Sequence, residues 1–166
     1  MTALAPAALS AKRSWAPVAG TGCSLAGVGV SGYLTFEHFT ASSTLACPAT
    51  GSAIDCLKVT TSSYSQLLGM PVALLGLVFF AVMLLLQLPA AWASAAPAVR
   101  AGRVLWAALG VGTALWLIYA ELFLVNAICL WCTAVHALTI VLFALTAVTT
   151  ATTAGAGFPD GGGTAG

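Results

Sequence analysis

Ile128-Cys129-Leu130-Trp131-Cys132-Thr133-Ala134-Val135-His136 joins a cysteine pair to an apolar run that continues to Val148. Residues three apart on a helix are separated by about one turn, roughly 4.5 Å of rise, so the two sulfurs come within disulfide reach. Because the pair opens the run, its thiols are predicted near a helix N-terminus. There the positive end of the macrodipole favours the thiolate, which is the reactive form.

Working back from this stretch, only Val125 to Ala127 separate it from another apolar run, Val104 to about Leu124, with Glu121 near its far end. So short a join predicts a tight antiparallel hairpin of two membrane helices, with the cysteine pair at a membrane face. The chain as a whole supports this setting. Its 166 residues are 60% hydrophobic and 5% charged, and its mean hydropathy is +1.03. A soluble domain with a solvated surface does not carry such values. A net charge of +1, with no basic patch carrying interleaved aromatics, speaks against nucleic-acid binding.

Two more apolar spans precede the hairpin. The first runs from Trp15 to Phe36 behind a short segment, Met1 to Ser14, that contains Lys12 and Arg13. It is longer than the apolar core of a signal peptide, and Thr44 stands where a lipoprotein signal ending at Cys47 wants an apolar residue. Gly20, Gly22, Ser24, Gly27, Gly29, Ser31 and Gly32 make it only mildly hydrophobic, but small residues let neighbouring helix backbones approach closely. The second span runs from Pro71 to Leu88. Between the two lies the one long polar stretch, Glu37 to Gly69, holding Cys47, Asp55, Cys56 and Lys58, which must stay outside the hydrocarbon. Within it, Ser62 to Leu68 are predicted to form a short surface helix, ended by Gly69 and followed by Pro71, a residue suited to a helix start. A second connection, Pro89 to Arg103, carries Arg100. After Val148 the chain turns to Thr, Ala and Gly, and Gly161-Gly162-Gly163 predicts a flexible tail. The expected architecture is an all-α integral membrane protein, a four-transmembrane-helix bundle over 15–148, flanked by an N-terminal segment 1–14 and a tail 149–166.

Orientation follows from the basic residues near the spans. Lys12, Arg13, Arg100 and Arg103 fall on one side and Lys58 on the other. Both termini are therefore expected in the cytoplasm of a bacterial cell, inside its inner membrane. The Cys47–Cys56 loop and the Cys129-Cys132 end then face the extracytoplasmic space, where disulfides persist.

Four cysteines on one oxidising face allow three pairings, of which Cys47 with Cys56 and Cys129 with Cys132 is the simplest. A loop disulfide alone can be a structural staple. The helix pair is better read as chemistry, since a one-turn clip adds little to a helix already anchored in lipid. Haem attachment would want His directly after Cys132, where Thr133 stands. Zinc would draw on Cys129, Cys132 and His136 with Cys56 or Glu121, but no paired ligand motif accompanies them. Cys23, mid-span among glycines, reads as a small buried apolar residue.

A membrane dithiol needs an electron sink, and a lipid-soluble quinone is the one a bilayer offers. Trp131, Trp116, Tyr119, Phe123 and Phe79 are candidates to wall an apolar pocket between helices, core packing being the plainer role for any one of them. His136, one turn beyond Cys132 on the same helical face, is placed to donate a proton or hydrogen bond to a quinone oxygen or to bond a neighbouring helix.

In its compact bacterial form, the vitamin K epoxide reductase family is what the chain resembles. The match is carried by Cys47 and Cys56 in the first outer loop, Ser62-Ser63-Tyr64-Ser65 after them, Gly69-Met70-Pro71 opening the second span and Cys129-Leu130-Trp131-Cys132 opening the fourth. It covers about Trp15 to Val148. The combination is specific, because the other quinone-linked thiol oxidase family carries its Cys-x-x-Cys nearer the start of the chain. The resemblance implies a bundle around a quinone (menaquinone, ubiquinone or a relative), no metal, and Ser65, Trp131 and His136 as quinone neighbours. It also implies that a thioredoxin-like, DsbA-like extracytoplasmic partner gives electrons to Cys47 and Cys56, which pass them to Cys129 and Cys132. Cys132, one turn deeper, would lie nearest the quinone. Many bacterial relatives carry a fused thioredoxin domain; here a glycine tail stands in its place, and a separate partner is expected. The competing expectation is a non-enzymatic four-span assembly protein whose disulfides brace its loop.

Overall fold

The computed structural model describes residues 5–40, 46–47, 51, 53–67, 69–94 and 96–155, with side chains described between 15 and 152. Helices α1 (Ala5–Thr40), α2 (Cys56–Thr60), α3 (Val72–Gln87), α4 (Pro89–Ala93), α5 (Pro97–Tyr119) and α6 (Leu130–Gly155) follow one another. A two-residue hairpin, β1 (Gln66–Leu67) against β2 (Met70–Pro71), precedes α3. Among these, α1, α3, α5 and α6 are long and lie side by side. Helix α1 packs on both α3 and α6, while α5 packs on α6 and more lightly on α3.

Small residues set the closest of these approaches. Gly20, Ser24, Gly27 and Ser31 recur at steps of four and three and so share one face of α1. A Cβ at Gly27 would fall inside the Phe80 ring, and one at Gly20 would meet the Gln87 amide. Ser24 is fully buried, and its hydroxyl is satisfied by donating to the Gly20 carbonyl at 2.8 Å. Gly110 of α5 accommodates Phe79 in the same way, and Phe79 stacks on Trp106 with centroids 6.2 Å apart.

The distribution of polarity is inverted relative to a soluble protein. Val18, Leu85, Leu105 and Leu109 are exposed, whereas Ser31, Gln87, Arg103, Glu121, His136 and Thr146 are buried. Such an exterior suits lipid rather than water. Residues Pro97–Val125 and Leu130–Thr152 are long and apolar enough to cross a membrane, and Val72–Gln87 is apolar but shorter. Buried threonines on α6 meet the same constraint internally: Thr139 and Thr146 donate to the Val135 and Leu142 carbonyls, each at 2.9 Å. At the end opposite the cysteines, Arg103 donates to the Leu86 and Ala91 carbonyls at 2.9 and 3.2 Å. Its guanidinium lies over Trp92.

The elements depart from the sequence expectation at their edges. Helix α1 already begins at Ala5 and α6 runs on past Val148 to Gly155; the expected tail from 156 lies outside the described residues. Helix α5 begins at Pro97, ahead of Val104, because Pro97 suits a first helical turn and Arg103 is stabilised by carbonyls. The short surface helix is Cys56–Thr60, not Ser62–Leu68. Asp55 caps it, its carboxylate accepting from the Lys58 backbone N–H at 2.9 Å. Ser63–Ser65 instead form a single 3-10 turn. The chain then reverses at Gly69, whose φ of 78° is a conformation that glycine adopts without strain.

Candidate functional site

Backbone pairing brings the outer loop onto the start of α6. The Ile128 N–H donates to the Ala53 carbonyl at 2.9 Å, and the Asp55 N–H returns to the Ile128 carbonyl at 3.1 Å. Asp55 and Ile128 are each followed by a cysteine, so this ladder delivers Cys56 to Cys129. The two are 1% and 0% exposed and form one buried cluster with Val59 and Ala127, against which Cys47, Trp131 and Cys132 pack. Lys58, two residues beyond Cys56, reaches the Asn126 carbonyl at 3.5 Å. Trp131 Nε1 donates to the Ala46 carbonyl at 2.8 Å, while the Tyr33 hydroxyl accepts from the Ala46 N–H at 3.3 Å. The Tyr33 and Trp131 rings lie 5.3 Å apart. An aromatic pair thus grips the loop beside Cys47.

Cys47 and Cys56 form a disulfide, with Cα atoms 5.9 Å apart, and Cys129 and Cys132 are thiols. Cys129 stands just ahead of α6, and its sulfur accepts from the Cys132 backbone N–H at 3.3 Å. That is the geometry of a helix N-cap with sulfur in place of oxygen. Its carbonyl accepts from the Thr133 N–H at 2.9 Å and hydroxyl at 3.0 Å. The hydrogen bond from the Cys132 thiol holds the Cys129 thiol below the ordinary thiol range, against the opposing pull of burial. Cys129 is therefore the sulfur of the pair prepared to be a thiolate.

Behind Cys132 lies a cavity of about 880 Å³ bounded by α1, the 3-10 turn, α3, α5 and α6. Phe79, Phe80, Trp106 and Val135 give it apolar walls; Cys132, His136, Glu121, Ser31 and Ser65 put polar atoms on its lining. Its size and make-up are those of a small-molecule site. His136, Ser65 and Phe79 of the sequence candidates line it. Trp131, Trp116, Tyr119 and Phe123 do not. Trp131 is committed to the loop, and the other three stack along the outside of the bundle, with Trp116, Tyr119 and Phe123 about half exposed or more. Aromatic identity alone does not reveal which helix face points inward. Ser65 donates its only hydroxyl proton to the Ser62 carbonyl at 2.7 Å, which leaves it an acceptor. Cys23 lies with the Phe80 and Met83 cluster, apart from the other cysteines.

Sequence does not single out Ser31 on this cavity, and it offers Glu121 only as a fourth zinc ligand. Ser31 is 1% exposed, and its hydroxyl has no partner among the described residues. In the sequence it is one small residue of a helix contact; its unpaired proton is a property of the packed bundle. Glu121 is 7% exposed and sits where the end of α5 widens into a π-turn, Ala120–Val125. Its carboxylate lies close to Cys129 and Cys132. The signal available in sequence was a lone acidic residue inside an apolar span, by default a functional group.

Compared with curated proteins, the chain finds no match. The model of the Vitamin K epoxide reductase family matches residues 18–147, a range that holds both cysteine pairs, the cavity and most of each long helix. The chain belongs to the vitamin K epoxide reductase family, whose members are membrane-embedded oxidoreductases.

Proposed function

We propose that the protein is a four-span thiol oxidoreductase of the bacterial inner membrane. It takes electrons from a separate thioredoxin-like partner outside the cytoplasm and passes them through two cysteine pairs to a quinone such as menaquinone or ubiquinone. The observation that carries this reading is the buried contact cluster of Cys56 and Cys129, fixed by the pairing of Ala53 and Asp55 with Ile128. Thiol–disulfide exchange proceeds by attack of a thiolate on one sulfur of a disulfide, and this cluster supports a relay with the two pairs in series. Cys47, half-buried where Cys56 is sealed, is the sulfur that a soluble dithiol reaches. Its reduction frees Cys56 to attack Cys129 of an oxidised helix pair. Electrons arrive at Cys129 and Cys132 as two thiols, while the loop disulfide reforms. Cys132, on the cavity wall, then gives them up to the quinone, and the partner leaves as a disulfide ready to oxidise secreted proteins.

The cavity suits the acceptor. Its apolar walls match a quinone ring and isoprenoid tail, and a quinone carbonyl needs donors. Ser31 on α1 supplies a hydroxyl proton that no other described residue uses, and His136 on α6 supplies a ring N–H. Ser65 accepts from the quinol once it has formed. Both termini lie in the cytoplasm in this account.

Combining Cys47→Ala with Cys132→Ala removes the competing thiol of each pair, and a Cys56–Cys129 disulfide should then accumulate, found by peptide mass mapping under non-reducing conditions. Free thiols at both positions in an oxidising setting would reduce the loop disulfide to a brace and favour the non-enzymatic reading.

A further inference from the structure

The relay accounts for sulfur and quinone but not for the thiol protons, and one buried group is unused. Glu121 lines the cavity beside Cys132, and its carboxylate lies close to both cysteines of the helix pair. Its own backbone carbonyl accepts the Ala127 N–H at 3.1 Å and the Asn126 N–H as well. Asn126 takes the left-handed φ of 51°. The main chain of Glu121 is thereby fixed where the end of α5 turns toward α6. A π-turn in place of a regular last turn is an arrangement found mostly at functional positions.

We propose that Glu121 is the catalytic base of the quinone-reducing step, taking the Cys132 proton and returning it to the quinone. The proposal rests on the reading above. As the Cys129–Cys132 bond forms, two electrons leave the sulfurs, and the quinone takes them up with two protons to become quinol. Glu121 accepts the proton as the Cys132 S–H bond breaks, so that the sulfur can surrender its electron pair. The carboxyl then gives this proton to a quinone oxygen. Cys129, already favoured as thiolate, has released its proton beforehand and closes the S–S bond, and the quinol takes its second proton from water. Carboxylate, thiol and cavity lie together behind the loop cluster, so the Cys132 proton need not travel through water.

The test uses purified protein in lipid nanodiscs, a reduced dithiol donor and a short-chain quinone. Glu121→Gln keeps the shape and removes the base. The kcat for quinol formation should fall about 100-fold, the scale of a lost general base, with KM for quinone within twofold. Glu37 and His38 of α1, Tyr64 of the turn, and Cys132 and His136 of α6 also face the cavity, with Cys129 behind, so the pH profile is read as the ratio of variant to wild type. That ratio should climb with pH as hydroxide takes over. A Glu121→Gln enzyme within threefold of wild type, or slowed by the same factor at every pH, would overturn the proposal. If that variant does not fold, Glu121→Asp carries the test: a solvent hydrogen isotope effect larger than wild type supports the base, and an unchanged one refutes it. Absence of quinol from wild type would instead refute the function itself.

Discussion

Asp55→Ala probes how the loop is presented to the membrane pair. The Asp55 side chain is exposed, and its carboxylate accepts the Lys58 N–H at 2.9 Å as the N-cap of α2. Loss of such a cap costs about 1 kcal/mol. Helix α2 has five residues, too few to be stable alone, so nothing in it absorbs the loss. The equilibrium constant for holding Cys56 against Cys129 should fall by the corresponding factor, about fivefold. The assay takes the Cys47→Ala, Cys132→Ala background, equilibrates it in glutathione redox buffers and measures the Cys56–Cys129 disulfide by mass mapping. Asp55→Ala should shift the midpoint about fivefold toward the thiols. Asp55→Asn, which also caps well, should leave it in place. Equal shifts for Ala and Asn would mean that charge is at work rather than capping, and no shift for Ala would mean that α2 does not position Cys56.

Cys132→Ala should abolish quinone reduction while the protein still inserts and folds, whereas Cys23→Ala should leave turnover unchanged; both are read from quinol absorbance. Gly27→Ala forces a methyl into the Phe80 ring and should destabilise the bundle by about 1–3 kcal/mol, as overpacking does, lowering the thermal midpoint in detergent. Trp131→Phe removes the bond to the Ala46 carbonyl at 2.8 Å and should speed proteolytic cleavage of the loop several-fold while sparing the cavity. A tag after Gly166 should be cytoplasmic, and residues in the loop from Ala41 to Thr61 should react with impermeant thiol or amine reagents from outside. A C-terminal tag reached from outside would reverse the orientation.

The helices were legible because their apolar runs and breakers are local. Cys129-Leu130-Trp131-Cys132 announced a helix start, and the paired small residues Gly20 and Gly27 announced a close contact. What the sequence hid was set by long-range geometry. The surface helix moved to Cys56–Thr60 because Asp55 is a stronger cap than anything before Ser62. Trp131 left the cavity because a loop carbonyl 85 residues away claims its indole. Ser31 looked like a spacer until the surrounding helices left its hydroxyl without a partner. Glu121 looked like a residue near a helix end until the π-turn brought its carboxylate to both cysteines.

The central claim is that electrons entering at the loop pair leave through Cys132 to a quinone. Its most direct test is quinol formation by the purified protein in nanodiscs, given a reduced thioredoxin-like dithiol and a quinone, beside the Cys132→Ala and Cys56→Ala variants. The account predicts one quinol for each dithiol oxidised by wild type and none from either variant. Dithiol oxidation without quinol, or quinol at the wild-type rate from Cys132→Ala, would contradict it.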